Sequence, residues 1–270
     1  MHGGALAIVG LDPGGGAGVL ADVRAFHRAG VFGCAAVALI TVQSTDGLVA
    51  SYPVAASRLV AQASEVLWGQ RISAIKVGAL GSVSNVRAVA RFLAREAQTI
   101  PVVVDPVMLP TRGASRLLTQ RATEVLRNEL LPRATLVTAN AFEAAALTGA
   151  AVSTVTDAKR AARELLKLGP RAVLVKGGHL ARRREIVDVL ALETGEILEL
   201  RAPRLTLPPM HGGGCVLASL IAGYLARAVD LGRTVDSPRI LACVVRARGV
   251  HRKALSAGRN VGGAMRVLVP

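Results

Sequence analysis

The chain has 270 residues, of which 51% are hydrophobic and only 3% aromatic, so it can bury the aliphatic core that a parallel sheet covered by helices requires. Its formal net charge of +15 comes almost entirely from arginine. This excess either lies on solvated helix faces or creates a field that attracts anionic ligands such as nucleotides. The scarcity of aromatic side chains and the lack of zinc-finger spacing argue against a nucleic-acid partner.

Short β-branched runs alternate with amphipathic helical segments along most of the chain. Buried strands are predicted at 5–9, 34–42, 74–77, 102–105, 135–138 and 172–176. A helix predicted at 85–97 carries Val86, Val89, Ala90 and Leu93 on its inner stripe, and a second at 156–168 stops at Gly169. This alternation predicts a three-layer α/β/α sandwich with a mostly parallel, doubly wound sheet that binds ligands at the carboxyl ends of its strands.

The last third of the chain predicts an edge hairpin followed by two helices. Segments 186–192 and 197–200 flank a Glu-Thr-Gly turn, and the helices are predicted at 213–228 and 237–256. Because no repeat or linker interrupts the pattern, we expect residues 1–270 to form one domain. The sequence shows no leader and no apolar run of membrane-spanning length, so we expect a cytoplasmic protein without a membrane partner.

Cysteine usage gives no sign of a disulfide framework or of a metal knuckle. Cys34, Cys215 and Cys243 are odd in number and form no close pair. Any chemistry of these residues would therefore come from a single thiol.

The first candidate site is the glycine-rich segment 10–22, between a strand and a helix. Its Gly16–Ala21 part fits a permissive dinucleotide-binding pattern, but the long turn before it and the lack of a later acidic residue argue against NAD. No Walker A lysine follows either. The segment offers a backbone that a ligand can approach closely, with Asp22 as either a ligand group or a solvated helix carboxylate.

The second candidate is the glycine run before the helix predicted at 213–228. Gly212, Gly213 and Gly214 leave several N–H groups and the positive end of the helix dipole directed at one point, which suits an anion. Three adjacent glycines suggest that close approach is needed, although a flexible loop is the alternative. Cys215 lies in the first helical turn, where thiol pKa values tend to fall, or it is a small core residue.

Polar residues also follow three of the predicted strands. Asn140 and Glu143 project to the same side of a helix start, as a hydrated Mg²⁺ site or as an ordinary N-cap with a capping-box Glu. Asp105 and Lys176 each end a buried strand, where a charge is costly. They either face a ligand or form a structural ion pair.

Taken together and in order, these segments resemble the hydroxymethylpyrimidine/phosphomethylpyrimidine kinases of thiamin biosynthesis, within the ribokinase superfamily. The motifs that carry the resemblance are Gly15-Gly16-Ala17-Gly18-Val19-Leu20-Ala21-Asp22, Gln43, Lys76-Val77-Gly78, Asp105-Pro106-Val107-Met108, Asn140-Ala141-Phe142-Glu143, Lys176-Gly177-Gly178-His179 and His211-Gly212-Gly213-Gly214-Cys215. The resemblance implies a ribokinase-like fold, a homodimer, ATP and Mg²⁺ as cofactors, and phosphorylation of 4-amino-5-hydroxymethyl-2-methylpyrimidine and then of its monophosphate.

The resemblance also implies roles for individual residues. Gln43 would pair with the aminopyrimidine edge, in a substrate site shared with Asp22, Gly10 and Val107. The nucleotide-binding residues it implies are Asp105, Asn140, Glu143 and Lys176, of which Asp105 and Glu143 would hold Mg²⁺ through water. The residues it implies for catalysis are Gly212, Gly213, Gly214 and Cys215, with the thiol in the place of the aspartate base of most ribokinase-like sugar kinases.

Several positions depart from the family pattern. Gly213 and Met210 stand where the family carries threonine, and Leu11 and Ala139 stand where it carries serine and proline. Thr111-Arg112-Gly113 replaces a Lys-Ser-Gly, and Arg112 is not equivalent to the missing lysine at a phosphate. Two alternatives therefore stay open: a pyridoxal kinase, against which the amide of Gln43 argues, and a degenerate kinase that binds its ligands without transferring phosphate.

Overall fold

The centre of the fold is a nine-stranded sheet. The computed structural model describes residues 3–109, 117–180 and 184–270. In chain order the strands are β1 Gly4–Leu11, β2 Phe32–Ser44, β3 Gly47–Pro53, β4 Ile72–Val77, β5 Val102–Val104, β6 Leu136–Asn140, β7 Ala172–Lys176, β8 Glu185–Leu192 and β9 Ile197–Pro203. Their spatial order is β3-β2-β1-β4-β5-β6-β7-β8-β9. Strands β2, β1 and β4 to β7 are parallel, and antiparallel hairpins close both edges.

The six predicted strands and the predicted β8–β9 hairpin are confirmed, but the strand predicted at 34–42 is only partly buried, with Ile40 and Val42 exposed. Strand β7 has the predicted bounds, whereas β2 extends beyond the predicted segment at both ends. The sequence did not predict β3, which pairs antiparallel with β2 at the opposite edge. An edge strand with mostly exposed or half-buried residues lacks the continuous apolar run that marked the central strands.

Eight α-helices cover the sheet in the described part of the chain. They are α1 Gly18–Ala29, α2 Ala56–Gly69, α3 Val83–Glu96, α4 Gln120–Val125, α5 Ala141–Thr148, α6 Val155–Leu166, α7 Gly213–Asp230 and α8 Ser237–Ser256. Helix α8 has the predicted bounds. Helix α3 begins earlier than predicted because the Ser82 hydroxyl accepts a hydrogen bond from the Asn85 N–H and acts as its N-cap.

Alternate residues of β1 face opposite layers of helices. Leu6 and Ile8 pack into a core with α2 to α6, whereas Ala5, Ala7 and Val9 pack into a second core with α1, α7 and α8. A strand buried on both faces reads as a continuous apolar run, as β1 does. The predicted three-layer α/β/α sandwich is therefore confirmed.

Helix α7 is a longer apolar segment than the sequence led us to expect. Its 18 residues have a mean hydropathy of 1.3, which by length and composition alone would allow a membrane crossing. The prediction that no apolar run reaches this length is therefore wrong. However, 67% of the helix is buried inside the fold, between the sheet and helices α1 and α8, as in the core helix of a soluble protein.

The C-terminal segment returns to the start of α7. Met210–His211, strand β10, pairs in parallel with Arg266–Val267, strand β11. The Thr45 hydroxyl, at the tip of the β2–β3 hairpin, donates a 2.7 Å hydrogen bond to the carbonyl oxygen of Gly262. The C-terminal segment thereby joins the hairpin to the residues that precede the glycine run.

Candidate active site

A cavity of about 1070 Å³ lies at the carboxyl ends of the parallel strands, in front of the N-terminus of α7. This is where a doubly wound sheet is expected to bind ligands. Almost all of the predicted site residues line it: Gly10, Gln43, Asp105, Val107, Asn140, Glu143, Lys176, Gly212, Gly213, Gly214 and Cys215. The exception is Asp22.

Asp22 is fully buried behind the cavity wall. Its carboxylate accepts a 2.7 Å hydrogen bond from Lys76 Nζ and a 2.6 Å hydrogen bond from the Ser219 hydroxyl. Both sequence-based interpretations of Asp22, a ligand group and a solvated carboxylate, are therefore corrected. Lys76 does line the cavity, so Asp22 reaches the site through its ion pair. Burial lowers the pKa of Lys76, but its neighbours, Asp22 first and then Cys215 and Asp105, together more than offset that effect, so the pKa is raised and the lysine stays charged.

The two glycine-rich segments pack backbone against backbone. Gly212 has a φ of 77°, which favours glycine, and a Cβ atom there would overlap the carbonyl oxygen of Gly16. A Cβ atom at Gly16 would in turn overlap the His211 ring. Close approach therefore explains Gly212. It does not explain Gly213, where the nearest atom to an added Cβ would be His251 Nε2 at 3.8 Å.

A buried carboxylate shapes the first glycine loop and joins it to the second. Asp12 accepts 2.9 Å hydrogen bonds from the N–H groups of Gly14 and Ala17. Its Oδ2 also lies 2.8 Å from His211 Nε2, and Gln43 Nε2 lies 2.9 Å from the same ring nitrogen. Because a carboxylate only accepts, the His211 Nε2 proton lies toward Asp12, which leaves no lone pair on that nitrogen for the Gln43 amino group. The Gln43 amide therefore suits His211 in the flipped orientation, with its oxygen toward the ring.

Lys176 lies between two carboxylates at the end of β7. Its Nζ is 2.8 Å from Asp105 Oδ1 and 3.8 Å from Glu143 Oε2. Burial raises the pKa of Asp105, but Lys176 and Lys76 together lower it further, so the net direction is downward. Burial raises the pKa of Glu143 to about 7, against the opposing effect of Lys176. The site therefore holds one firmly ionised carboxylate and one that titrates near neutrality.

Asn140 and Glu143 form a capping box at the start of α5. The Glu143 N–H donates to Asn140 Oδ1 at 2.9 Å, and the Asn140 N–H donates to Glu143 Oε2 at 2.7 Å. The capping interpretation is confirmed, and it does not displace these residues from the cavity wall.

Cys215 lies half-buried in the first turn of α7 and lines the cavity. Burial raises the pKa of its thiol to about 12, although Lys76 opposes the rise. The expectation of a lowered pKa is therefore wrong. The field of a helix N-terminus favours an anion by roughly 0.3–1 kcal/mol, which is too little to offset the loss of water around a thiolate.

Comparison with known proteins identifies the family of this chain. The sequence profile of the phosphomethylpyrimidine kinase family matches residues 12–248. The chain belongs to this family. Among curated relatives, the hydroxymethylpyrimidine/phosphomethylpyrimidine kinase of Haemophilus influenzae is 36% identical over 87% of both chains. The enzyme of the same name from Streptomyces coelicolor is 38% identical over 96% of this chain and 91% of its own.

Solved structures confirm the ribokinase-like fold and include phosphomethylpyrimidine and pyridoxal kinases. A Bacillus subtilis pyridoxal kinase in its ADP complex superposes with a TM-score of 0.87, at 27% identity, over 99% of this chain and 97% of its own. The phosphomethylpyrimidine kinase of Clostridium difficile superposes with a TM-score of 0.74, at 30% identity, over 92% of this chain and 99% of its own.

Helix α8 contributes site residues that the sequence did not single out. The carboxylate of Asp188, on β8, accepts hydrogen bonds from the Gly177 N–H at 2.6 Å and from Arg248 Nε at 2.7 Å. This network fixes the turn directly after Lys176. His251 lines the same cavity one helical turn beyond Arg248. Pairs such as Asp12 with His211 and Asp188 with Arg248 are far apart in sequence, so no local motif marks them.

The family's Lys-Ser-Gly position lies outside the described residues. Thr111, Arg112 and Gly113 fall in the gap between 109 and 117, so the prediction that Arg112 is not equivalent to the family's lysine at a phosphate is not tested by the structure.

Proposed function

We propose that this protein uses ATP to phosphorylate 4-amino-5-hydroxymethyl-2-methylpyrimidine and then the resulting monophosphate, as a step of thiamin biosynthesis. One observation carries the proposal: a single cavity joins an anion site, made by the start of α7 and Lys176, to a polar wall at Gln43. The names of the curated relatives support the substrate, and a relative from Geobacter sulfurreducens is a thiamine biosynthesis bifunctional protein.

Phosphoryl transfer requires positioning and charge neutralisation more than covalent chemistry. The first turn of α7 supplies backbone N–H donors, and Lys176 supplies a positive charge beside them. With its pKa raised to about 12, Cys215 is a thiol in the resting protein. We infer that the Cys215 thiol orients the substrate hydroxyl. The hydroxyl proton passes to an oxygen of the transferred phosphoryl group as the new O–P bond forms and the bond to the leaving ADP breaks.

The carboxylates of Asp105 and Glu143 fit a Mg²⁺ ion held through water. Among the described residues no cluster of three or more His, Cys, Asp or Glu side chains could bind a metal directly. Two carboxylates beside a phosphate site match the way Mg²⁺ binds in kinases, with most of its waters kept and the phosphates as further ligands. The ion would neutralise charge on the transferred phosphate, and Asn140 would complete this wall.

The substrate ring would lie between Gly10, Gln43 and Val107. Gly10 and Val107 both line the cavity, and Val107 would present an apolar side chain to the ring. In the flipped orientation of Gln43, with its oxygen toward His211, its amino group would be the donor for a ring nitrogen. Asp22 supports this wall indirectly, through Lys76.

Phosphorylation of pyridoxal is the second candidate function. The pyridoxal kinases of Bacillus subtilis and of Staphylococcus aureus, the latter solved with AMP-PCP and pyridoxal, superpose with TM-scores of 0.87 and 0.85. The names of the curated relatives favour the pyrimidine instead.

An ADP-release assay with the pyrimidine alcohol, pyridoxal or no acceptor separates the candidates. We expect kcat/KM for the pyrimidine to exceed that for pyridoxal by about tenfold or more, which corresponds to ~1.4 kcal/mol of transition-state discrimination. Cys215→Ala should lower kcat by ~10²-fold because the substrate hydroxyl loses its orienting partner, with Cys243→Ala as the matched control. Pyrimidine binding without ADP release would contradict the kinase and support the degenerate, binding-only alternative.

We further propose that the protein is a cytoplasmic homodimer whose residues 1–270 form one domain. The family resemblance supports the dimer. The outer face of the β2–β3 hairpin, with Ile40, Val42 and Tyr52 exposed, supports a self-association surface. Sedimentation should give twice the mass of 27.9 kDa, and a monomer at micromolar concentration would contradict the dimer.

A further inference from the structure

One histidine of the cavity has no role in the function described above. His251, on α8, lines the cavity beside the start of α7. Its Nε2 lies 2.8 Å from the carbonyl oxygen of Gly213. Residue 213 is also where this chain lacks the threonine side chain of the family pattern.

The contact with Gly213 fixes the proton on the imidazole. A carbonyl oxygen only accepts, so the neutral ring must carry its proton on Nε2 and leave Nδ1 as an acceptor. Within the described residues, Nδ1 has no hydrogen-bond partner, and it is not among the polar atoms sealed from solvent. Nδ1 is thus available to a ligand in the cavity.

Charged groups from three elements surround the ring. Asp188 on β8 favours the protonated ring, whereas Lys176 on β7 and Arg248 on α8 oppose it. Burial is the largest effect, and it lowers the pKa of His251 to about 4. The ring is therefore neutral in the ligand-free protein, and an added anion would shift this balance toward the charged form.

We propose that His251 is a nucleotide-phosphate ligand that supplies, from α8, the side-chain hydrogen bond that Gly213 lacks. This inference rests on the proposed function, since it assumes that a nucleotide polyphosphate lies at the start of α7. The polyphosphate brings negative charge next to the ring, and Nδ1 takes up one proton from solvent. Nδ1–H then donates to a phosphate oxygen while Nε2–H stays on the Gly213 carbonyl. Each nucleotide bound is accompanied by the uptake of up to one proton, depending on the pH.

The test is the pH dependence of ADP binding by isothermal titration calorimetry, with Mg²⁺ held constant. His251→Gln retains a donor for the Gly213 carbonyl but does not titrate. His27→Gln, at an exposed histidine at the end of α1, is the matched control. Between pH 8 and pH 6, we expect the ratio of the variant's Kd to that of the wild type to rise by about threefold or more. The Kd of His27→Gln should follow that of the wild type at each pH. Because all three proteins bind the same ADP, the ionisation of ADP itself cancels in the ratio of their Kd values.

Proton uptake gives a second readout that a purely structural role would not change. In buffers of different ionisation enthalpy, the wild type should take up more protons per ADP than His251→Gln near pH 6.5. Equal uptake and equal pH dependence would overturn the proposal, as would a wild type that does not bind ADP. If ADP binds with the expected proton uptake but no pyrimidine is phosphorylated, only the proposed function fails.

Discussion

Lys76 and Lys176 are two buried lysines at one cavity, and their surroundings give them different roles. Lys76 is 1% exposed at the cavity wall and is held by Asp22, which lies behind that wall. Lys176 is 13% exposed and lies between Asp105 and Glu143, in reach of a ligand. Both lie at the end of a parallel strand, so strand position alone does not set the role. The difference is whether the counter-charge lies behind the lysine or beside it, facing the cavity.

The largest expected effect concerns the buried ion pair of Lys76 and Asp22. Lys76→Met leaves the carboxylate of Asp22 buried without its cation, which should lower the free energy of unfolding by about 3–5 kcal/mol. Urea denaturation would measure the loss, and Lys76→Met with Asp22→Leu should recover much of it. Lys167→Met, in an exposed pair with Glu164, should change stability little. A comparable loss of stability in Lys76→Met and Lys167→Met would contradict the expected difference between the buried and the exposed ion pair.

Lys176 should matter for turnover more than for folding. Lys176→Met removes a cation beside Gly214 at the start of α7, and kcat should fall by ~10²- to 10³-fold, as for other groups that stabilise transition-state charge. The ADP-release assay measures this change, with Lys167→Met again as control. If Lys176→Met lowered only stability and left kcat unchanged, the two lysines would share a structural role.

The carboxylates beside Lys176 predict a pH effect on stability. The pKa of Glu143 is raised from 4.5 to about 7 in the fold, so the native state holds a proton that the unfolded chain releases. Stability should therefore fall as pH rises through this window, by about 3 kcal/mol in total. Chemical denaturation at pH 4.5 and 7.5 would show the decrease, and Glu143→Gln should remove most of it. Exposed Glu124→Gln should keep the decrease. A wild type that gains stability over this interval would contradict the assignment.

The smallest effect is expected at the helix start that Lys176 faces. Gly213→Thr adds a hydroxyl donor where the structure leaves room for a Cβ atom. Because His251 already donates in this region under our proposal, the gain in kcat/KM should stay within about tenfold, or ~1.4 kcal/mol. The gain should be larger in a His251→Gln background, as expected for coupled neighbours. Slower turnover of Gly213→Thr in both backgrounds would show that glycine is required there.

The sequence predicted the sheet and most of the cavity wall because both follow local patterns. Apolar runs mark β1 and β7, and Lys176 and Asp105 come directly at or after strand ends, which a parallel sheet brings to one edge. It did not predict that Asp22 would face Lys76, because helix periodicity shows only that a residue is on one face and not what the facing element carries. The prediction of a lowered pKa for Cys215 was wrong for a related reason. Desolvation of the thiol depends on the packing of several elements, whereas its position at a helix start is a local property.

The pairing of Asp12 with His211 has a consequence for how the protein is made. The two residues are 199 positions apart in the chain, and strand β10, which contains His211, also needs β11 at residues 266–267. The first glycine loop therefore has its buried partner only after residue 211 has been synthesised, and its final support only after residue 267. Such long-range closure is slow to form compared with local contacts. A growing chain should thus acquire nucleotide affinity late and abruptly, so that ligand binding reports completed synthesis.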